Sequence, residues 1–421
     1  TGSFNIFITS RPEADISSAM AKIGDITLEL QGVGVQDDIR SHIIAFMDKD
    51  SRMKVWPENV KDEVVKHLVQ KSNGMCLESL RTCLKPKLGT IKQKLSDLPR
   101  TLDSTYERIF QQMNPEYERE MRTILMLLAC SVRPMTIQEV AEATAVDIEA
   151  QSLDDRFPDP YDVLELCSSL VSLERGYTSW RWPSNVKIVQ FAHFSVKEFI
   201  LSDRRQTMIP PSLRFDIPMG QKEITELCLI YLLDFNGGKR ASSIDHDAFP
   251  MLAYAALHWT THMTTVPTDN AQTIQELLIR LFNPDEPDNL MNFLNLYDPA
   301  STWHPFDGGK TVANNFHIKR SKQDFETPLY YACHYGLIDI ARWLVEEEDE
   351  NSDVKKEKLG SALGAAAAEG HLPITQMIMK HGVDPNSPYC GKYFSPLHAA
   401  ATSGNPEVMK LLLEAGADVQ A

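Results

Sequence analysis

Residues 395–404 read Ser-Pro-Leu-His-Ala-Ala-Ala-Thr-Ser-Gly. Ser before Pro is a helix start: the hydroxyl caps the free N–H groups of the first turn, and Pro stands where its missing N–H costs nothing. Leu397 then enters a core, small residues follow, and Gly404 permits the backbone reversal that ends the helix. The same order occurs twice upstream, as Thr327-Pro-Leu-Tyr-Tyr-Ala332 with Gly336 and as Ser361-Ala-Leu-Gly-Ala-Ala366 with Gly370. The three glycines are evenly spaced, 34 residues apart. Behind each comes a second apolar run: Ile340, Leu344 and Val345, then Ile374, Met377 and Ile378, then Val408, Leu411, Leu412 and Leu413. Turn tips follow at His381-Gly-Val-Asp-Pro-Asn386 and Ala415-Gly-Ala-Asp418. This period predicts stacked helix pairs, each burying its neighbour's flank.

The three units resemble the ankyrin repeat, the third almost completely. The first departs from the pattern, its second helix running into Glu346-Glu-Glu-Asp-Glu350 and then Lys355-Lys-Glu-Lys358 where a glycine tip belongs, so that finger is expected to be altered or mobile. The charge run reads as a solvated face before it reads as an acidic docking site. Because the text ends directly after a tip, the array is expected to continue in a longer parent protein. Stacked repeats offer a concave face and finger tips to protein partners, and the candidate contacts are Tyr330, Tyr331, His334 and Tyr335, then Tyr389, Tyr393 and Phe394. Tyr joins a large rigid area to a polar tip, which suits an interface. The same rings suit packing between repeats, and sequence leaves both readings open.

Length and composition set the wider frame. At about 150 residues per domain, 421 residues supply two or three hydrophobic cores. A net charge of −16 repels phosphate backbones and anionic lipid, which disfavours nucleic acid as a partner. Seven scattered cysteines without a Cys-x-x-Cys pair fit reduced thiols, and no charge-free apolar stretch approaches the roughly 20 residues that cross a bilayer. The chain reads as cytoplasmic. It opens on Thr1 and enters a strand almost at once, so an upstream segment is expected.

Before the repeats, the chain predicts a mainly α fold with an α/β remnant at its start. Phe4-Asn-Ile-Phe-Ile8 reads as a buried strand, Ala14 to Ile23 as a helix, and the alternating Ile26, Leu28 and Leu30 as another strand. Val60, Val64 and Leu68 mark one helix, and Leu102, Tyr106, Ile109, Phe110 and Met113 another. Thr136-Ile-Gln-Glu139 is a capping box opening a helix through Ala145. A second helix is expected over Asp162 to Leu173, two wing strands at Tyr177 to Trp182 and Val186 to Phe191, and a helix capped by Ser195 and ending at Leu201. That order is a winged helix. Its second helix carries Asp162 and Glu165 and no Arg or Lys, which disfavours DNA binding.

Thr9-Ser-Arg-Pro-Glu13, Ser72-Asn-Gly-Met75, Leu98-Pro99 with Tyr106-Glu-Arg-Ile109, Arg133-Pro-Met-Thr136 with Glu139-Val-Ala-Glu142, and Phe191-Ala-His-Phe-Ser-Val-Lys-Glu-Phe199 stand in this order. Together they resemble the fungal NACHT/ankyrin proteins, NOD-like-receptor relatives among the signal-transduction ATPases (STAND proteins). The resemblance implies a nucleotide-controlled switch coupled to a sensing repeat array, with oligomers possible in the full-length parent. By position it implies that Arg11 reports on the terminal phosphate and that His193 touches a diphosphate, in an intact parent holding ATP or GTP with Mg. The plain alternatives are an Arg paired with a carboxylate and a His satisfied inside the wing. Cys76-Leu-Glu-Ser79 departs from the aromatic and Trp usual after Met75. No Gly-x-x-x-x-Gly-Lys-Ser/Thr phosphate loop occurs, so the chain is expected neither to bind nor to hydrolyse ATP. Winged helices of this type sometimes carry the name of a GPI inositol deacylase, but no Gly-x-Ser-x-Gly elbow is present to support that activity.

Other chemistry finds little support. His258 and His262 have the spacing of two zinc ligands on a helix, yet Trp259 stands where a zinc protease needs Glu, so the histidines read as structural and no metal site is assigned. Asp245-His246-Asp247 lies among Ser and Gly and reads as surface.

The expected organisation is therefore the end of a NACHT domain at 1–50, a helical domain at 51–130, a winged helix at 131–205, a helical connector at 206–283, a linker at 284–324 where domain motion concentrates, and ankyrin repeats at 325–421. The expected role is that of a non-catalytic protein-interaction part of a signalling protein. Two alternatives are part of an ATP- or GTP-driven switch whose phosphate loop lies upstream, and a constitutive adaptor without nucleotide control.

Overall fold

The computed structural model describes residues 33–51, 53–71, 102–153, 156–167, 169–175, 186–203, 206–235, 249–266, 271–300, 325–347, 353–388 and 393–419. Among these, seventeen α-helices and five short strands make the fold mainly α. The expected strands before residue 32, Arg11, the motifs at 72–75 and 98–99, Asp245 to Asp247 and the span 301–324 lie outside the described residues.

The chain divides into two units, residues 1–105 and 106–421. In the first, α1 (Val33–Lys49) and α2 (Glu58–Lys71) share one core. Val60, Val64 and Leu68 recur every fourth residue and meet Ile43, Met47, Met53 and Trp56 there. The boundary expected at residue 50 thus runs through a packed cluster.

Helix α3 (Leu102–Gln111), whose larger part belongs to the second unit, buries Tyr106 and Phe110 as its periodicity predicts; both ring centroids lie within 6 Å of that of Phe199. The apolar stretch at 124–130 is the buried part of α4 (Glu118–Cys130). Strand β1 (Met135–Thr136) leads into α5 (Ile137–Thr144), where the capping box is complete: Glu139 N–H donates to Thr136 Oγ1 and Thr136 N–H to Glu139 Oε2. A small hairpin, β2 (Val146–Asp147) with β3 (Ser152–Leu153), precedes α6 (Asp162–Leu166). Strands β4 (Val171–Arg175) and β5 (Lys187–Phe191) complete an antiparallel sheet ordered β1-β5-β4, with Val189 facing Met135 on one side and Leu173 on the other. Helix α7 (Phe194–Ile200) closes the winged helix.

Two expectations change here. The helix predicted over Asp162–Leu173 stops at Leu166, because Val171 and Leu173 alternate with Ser172 and Glu174 and pair with β5 instead of continuing a helical face. The first strand of the wing is therefore Val171–Arg175; residues 177–182 lie outside the described residues. Ser195 is not the cap of the last helix. His193 is, its Nδ1 accepting the Ser195 N–H at 3.3 Å.

The connector is helical as expected. Asp216 caps α8 (Ile217–Asp234), whose Ile224, Leu227, Cys228, Tyr231 and Leu232 are buried; α9 (Leu252–Met263) buries Tyr254, Ala255, Ala256 and Trp259, and α10 (Gln272–Phe282) follows. A Cβ on Gly220 would stand 2.7 Å from Cys130 Sγ, so glycine sets the approach of α8 to α4. The linker expected from residue 284 begins instead with a helix, α11 (Pro287–Leu296), that buries Leu290, Phe293 and Leu294. Its Pro and Asp sit in the first turn, where they start a helix rather than break one.

Three helix pairs follow: α12 (Pro328–His334) with α13 (Ile338–Glu346), α14 (Asp353–Ala368) with α15 (Leu372–Lys380), and α16 (Pro396–Ser403) with α17 (Pro406–Glu414). Gly336, Gly370 and Gly404 all adopt positive φ between the paired helices. The middle pair differs in one respect. In the outer pairs Thr327-Pro328 and Ser395-Pro396 fix the helix start, whereas Ser361-Ala362 lacks the Pro, and α14 extends back to Asp353. The Lys355-Lys-Glu-Lys358 run is thereby helical, with Lys356 and Glu357 facing solvent.

Candidate functional site

Neighbouring repeats are joined by a device that recurs with the repeat. His371 and Asn405 occupy equivalent positions ahead of α15 and α17. His371 Nε2 lies 3.1 Å from the His334 carbonyl, and Asn405 Nδ2 donates to the Gly370 carbonyl at 3.1 Å. Each side chain also lies over the preceding glycine, so that a Cβ on Gly336 or Gly370 would meet it at under 3 Å. At the tips, Asn386 donates to the Gly416 carbonyl and accepts from Asp418 N–H.

On this frame the candidate aromatic contacts separate. Tyr330 and Tyr331 are buried in the first repeat, and burial raises the Tyr330 phenol above its ordinary range. Tyr331 donates its hydroxyl to Asp298 Oδ1 at 3.0 Å and accepts from Glu326 N–H, tying the repeat to the end of the connector. Tyr335 packs against Trp259, ring centroids 5.4 Å apart, and against Phe293. For these three the packing reading describes the geometry. His334 is partly accessible, with Nδ1 3.3 Å from Glu369. Phe394 differs sharply, being 82% exposed at the tip of the third repeat. Beside it stand Tyr393 and His398, the His398 ring centroid 5.5 Å from Phe394 and 6.2 Å from Tyr393. Tyr389 lies outside the described residues. His398 was not singled out by sequence reasoning, although its place one residue after the capped Leu, beside two aromatics, was a usable signal.

His193 is exposed at the start of α7. Its Nδ1 lies 2.6 Å from Ser195 Oγ and takes the Ser195 N–H, while Ser195 Oγ lies 2.7 Å from Tyr106 Oη. An Nδ1 that accepts a backbone N–H leaves the proton on Nε2, at the outer edge of the ring. The arrangement offers one N–H donor at the solvent-facing edge of the ring. Arg11, its expected companion, lies outside the described residues.

The His258/His262 pair faces inward. His262 is buried and bonded to Tyr254 and Gln221, and burial holds both imidazoles down at about 4. Among the described residues no three His, Cys, Asp or Glu side chains are grouped to hold a metal. Nor, among them, is any helix long and apolar enough to cross a membrane.

Comparison with known proteins fits both halves of this geometry. Residues 107–209 match the family model described as GPI inositol-deacylase, winged helix domain, and residues 309–389 and 348–421 match the model for ankyrin repeats in three copies. The winged-helix match starts ahead of the expected boundary at 131, within α3, and takes in α4; Phe110, inside the match, packs on Phe199. The chain is 32% identical over 303 residues to the azaphilone pigments biosynthesis cluster protein L of Monascus ruber, covering 69% of this chain and 61% of that protein. It is 21% identical over 282 residues to the vegetative incompatibility protein HET-E-1 of Podospora anserina, covering 60% of this chain and 20% of that protein. An ARF GTPase-activating protein, Git, of Drosophila melanogaster is 27% identical over 150 residues, 32% of this chain and 20% of that protein. The chain thus spans about three-fifths of the length of the first of these and a fifth of each of the other two.

Proposed function

From the union of this winged helix with ankyrin repeats, the combination of the fungal NACHT/ankyrin proteins, we propose that the chain is a non-catalytic interaction part of such a signalling protein and that its repeat array binds a protein partner. The observation that carries this reading is the exposed Phe394 with Tyr393 and His398 at one tip of a rigidly joined array. An aromatic that remains in water on a soluble repeat tip gains free energy only when something covers it. His334, at the other end of the array, is a lesser contact; Tyr389 belongs to the same proposed surface by its place in the sequence. Tyr330, Tyr331 and Tyr335 act as the support that fixes the first repeat.

The test is quantitative capture from fungal extract on the immobilised chain against the Phe394→Ala, Tyr393→Ala, His398→Ala triple variant, with Lys197→Ala on the winged helix as the control. One or more proteins retained by the control and lost from the triple variant are expected. Equal retention by both would overturn the assignment of the surface.

A second reading, control by nucleotide, draws support from the exposed position of His193, whose Nδ1 is turned to Ser195. In that reading His193 donates to a diphosphate and Arg11 to the terminal phosphate, in a protein that also supplies a phosphate loop. Without such a loop, calorimetry with ATP on these 421 residues is expected to show no stoichiometric micromolar binding. A stoichiometric signal would favour this second reading.

A further inference from the structure

The junction of the winged helix and the connector contains a closed ring of hydrogen bonds. Val132 N–H donates to Tyr254 Oη at 3.2 Å, Tyr254 Oη lies 2.9 Å from His262 Nε2, His262 Nδ1 meets Gln221 Oε1, and Gln221 Nε2 donates to the Cys130 carbonyl at 3.1 Å. The ring begins and ends on the residues flanking Ser131, the C-cap of α4. Its other members come from the connector: Gln221 from α8, Tyr254 and His262 from two turns of α9.

The directions of these bonds are fixed. A backbone carbonyl only accepts, so the Gln221 amide nitrogen faces Cys130 and its oxygen faces His262. That oxygen has no hydrogen to give, so His262 carries its proton on Nδ1, and Nε2 accepts from the Tyr254 hydroxyl. One neutral tautomer satisfies every member. A second proton at Nε2 takes away the acceptor for the Tyr254 hydroxyl hydrogen and places a cation in the interior.

Among the described residues, nothing nearby is arranged to receive that cation. Facing His262 on its own helix are Tyr254 and His258. From the winged-helix side come Arg133, whose guanidinium carbon lies 5.0 Å from the Tyr254 ring centroid, and Glu139. Glu139 is already committed to both Arg133 nitrogens and to the cap of α5. The Cys130 thiol on α4 and the Cys228 thiol on α8 are both pushed up by burial and stay neutral, and Glu223 on α8 is held by Arg122.

We propose that this ring is a proton-operated catch: it closes on neutral His262 and opens when His262 takes up a proton, parting the winged helix from the connector. Burial lowers His262 and His258 to about 4 from an ordinary value of 6.5. The folded values lie below the unfolded ones, so the stability these groups contribute is present above pH 6.5 and is lost as pH falls toward 4. An opened junction restores both to ordinary values. Between pH 7.5 and 5.5 the opened form therefore gains about tenfold from each histidine. The catch is independent of which partner the repeats bind.

Hydrogen exchange by mass spectrometry on the whole chain, corrected for intrinsic rates, tests this at pH 7.5 and 5.5. Peptides covering residues 130–133, 217–223 and 252–263 are expected to lose protection by tenfold or more at pH 5.5, while those covering α15–α17 keep theirs. His262→Gln, which retains a donor and an acceptor but does not titrate, is expected to reduce that loss about tenfold. Unchanged protection in the wild-type chain, an equal loss throughout the repeats, or an unaltered pH response in His262→Gln would overturn the proposal. Should that variant fail to fold, the imidazole nitrogen shifts of the wild-type chain decide: neutral Nδ1–H at pH 6 supports the catch, and Nε2–H or an imidazolium refutes it.

Discussion

Glu139 is fully buried, yet its carboxylate is well satisfied: two nitrogens of Arg133 and the Thr136 N–H all donate to it. Three residues on, Glu142 accepts from the Tyr231 hydroxyl and from Arg156, each at 2.6 Å. Both arginines lie over connector aromatics, Arg133 over Tyr254 and Arg156 over Phe249. Arg133→Ala strips a buried carboxylate of its counter-ion, and chemical denaturation is expected to show a loss of about 3 kcal/mol, the low end for a buried pair because Arg133 keeps some exposure. The capping box was legible in the sequence because it is local, Thr to Glu at three residues. The arginines and the tyrosine were not, since Tyr231 stands 89 residues from Glu142 and only folding brings them together. The cysteines give a simpler test. Cys130, Cys167, Cys228 and Cys333 are buried, with thiols raised by desolvation, to about 11 for Cys130 and about 12 for Cys167. An aromatic disulfide reagent at neutral pH is expected to modify at most three of the seven cysteines of the folded chain and all seven in denaturant.

Among the elements, the repeats were legible because each helix start and reversal carries its own residue. What escaped was the length of α14, and the reason is the residue that is missing: without a Pro at 362 nothing stops the helix from growing backward. Ala362→Pro is expected to detach residues 353–360 from the helix, read as a loss of their amide protection, while the repeat stack survives on the Ser-Pro start that its neighbours already use. The glycines offer a paired test. Gly370 and Gly404 both have positive φ, but a Cβ on Gly370 meets Asn405 at 2.9 Å while one on Gly404 meets nothing within 4 Å. Gly404→Ala is expected to cost about 1 kcal/mol for its backbone alone, and Gly370→Ala measurably more in the same denaturation assay. Helices α6 and α11 were misjudged in opposite directions. Val171 and Leu173 carried both a helical and an alternating reading, which pairing with β5 decided, and the Pro and Asp of α11 read as loop until seen in a first turn.

At the scale of the whole second unit, the connector is a joint between two recognised modules and belongs firmly to both. The Tyr231–Glu142 hydrogen bond and the His262 ring fasten it to the winged helix; Tyr331 on Asp298 and Tyr335 on Trp259 fasten it to the first repeat. Over residues 287–296 the linker expected from residue 284 is packed helix. Of the proposed surface, Phe394 and Tyr393 were legible as aromatics at a repeat tip, whereas the fate of Tyr330, Tyr331 and Tyr335 was not, because a ring on a repeat's first helix serves a partner or the neighbouring element according to what packs there. The most direct measurement is the retention of a fungal partner on the intact chain and on the Phe394, Tyr393 and His398 triple-alanine variant, each with and without ATP. Retention on the intact chain, at least a tenfold drop for the variant and no effect of ATP are expected. Retention that is indifferent to the three tip residues would contradict the proposed surface.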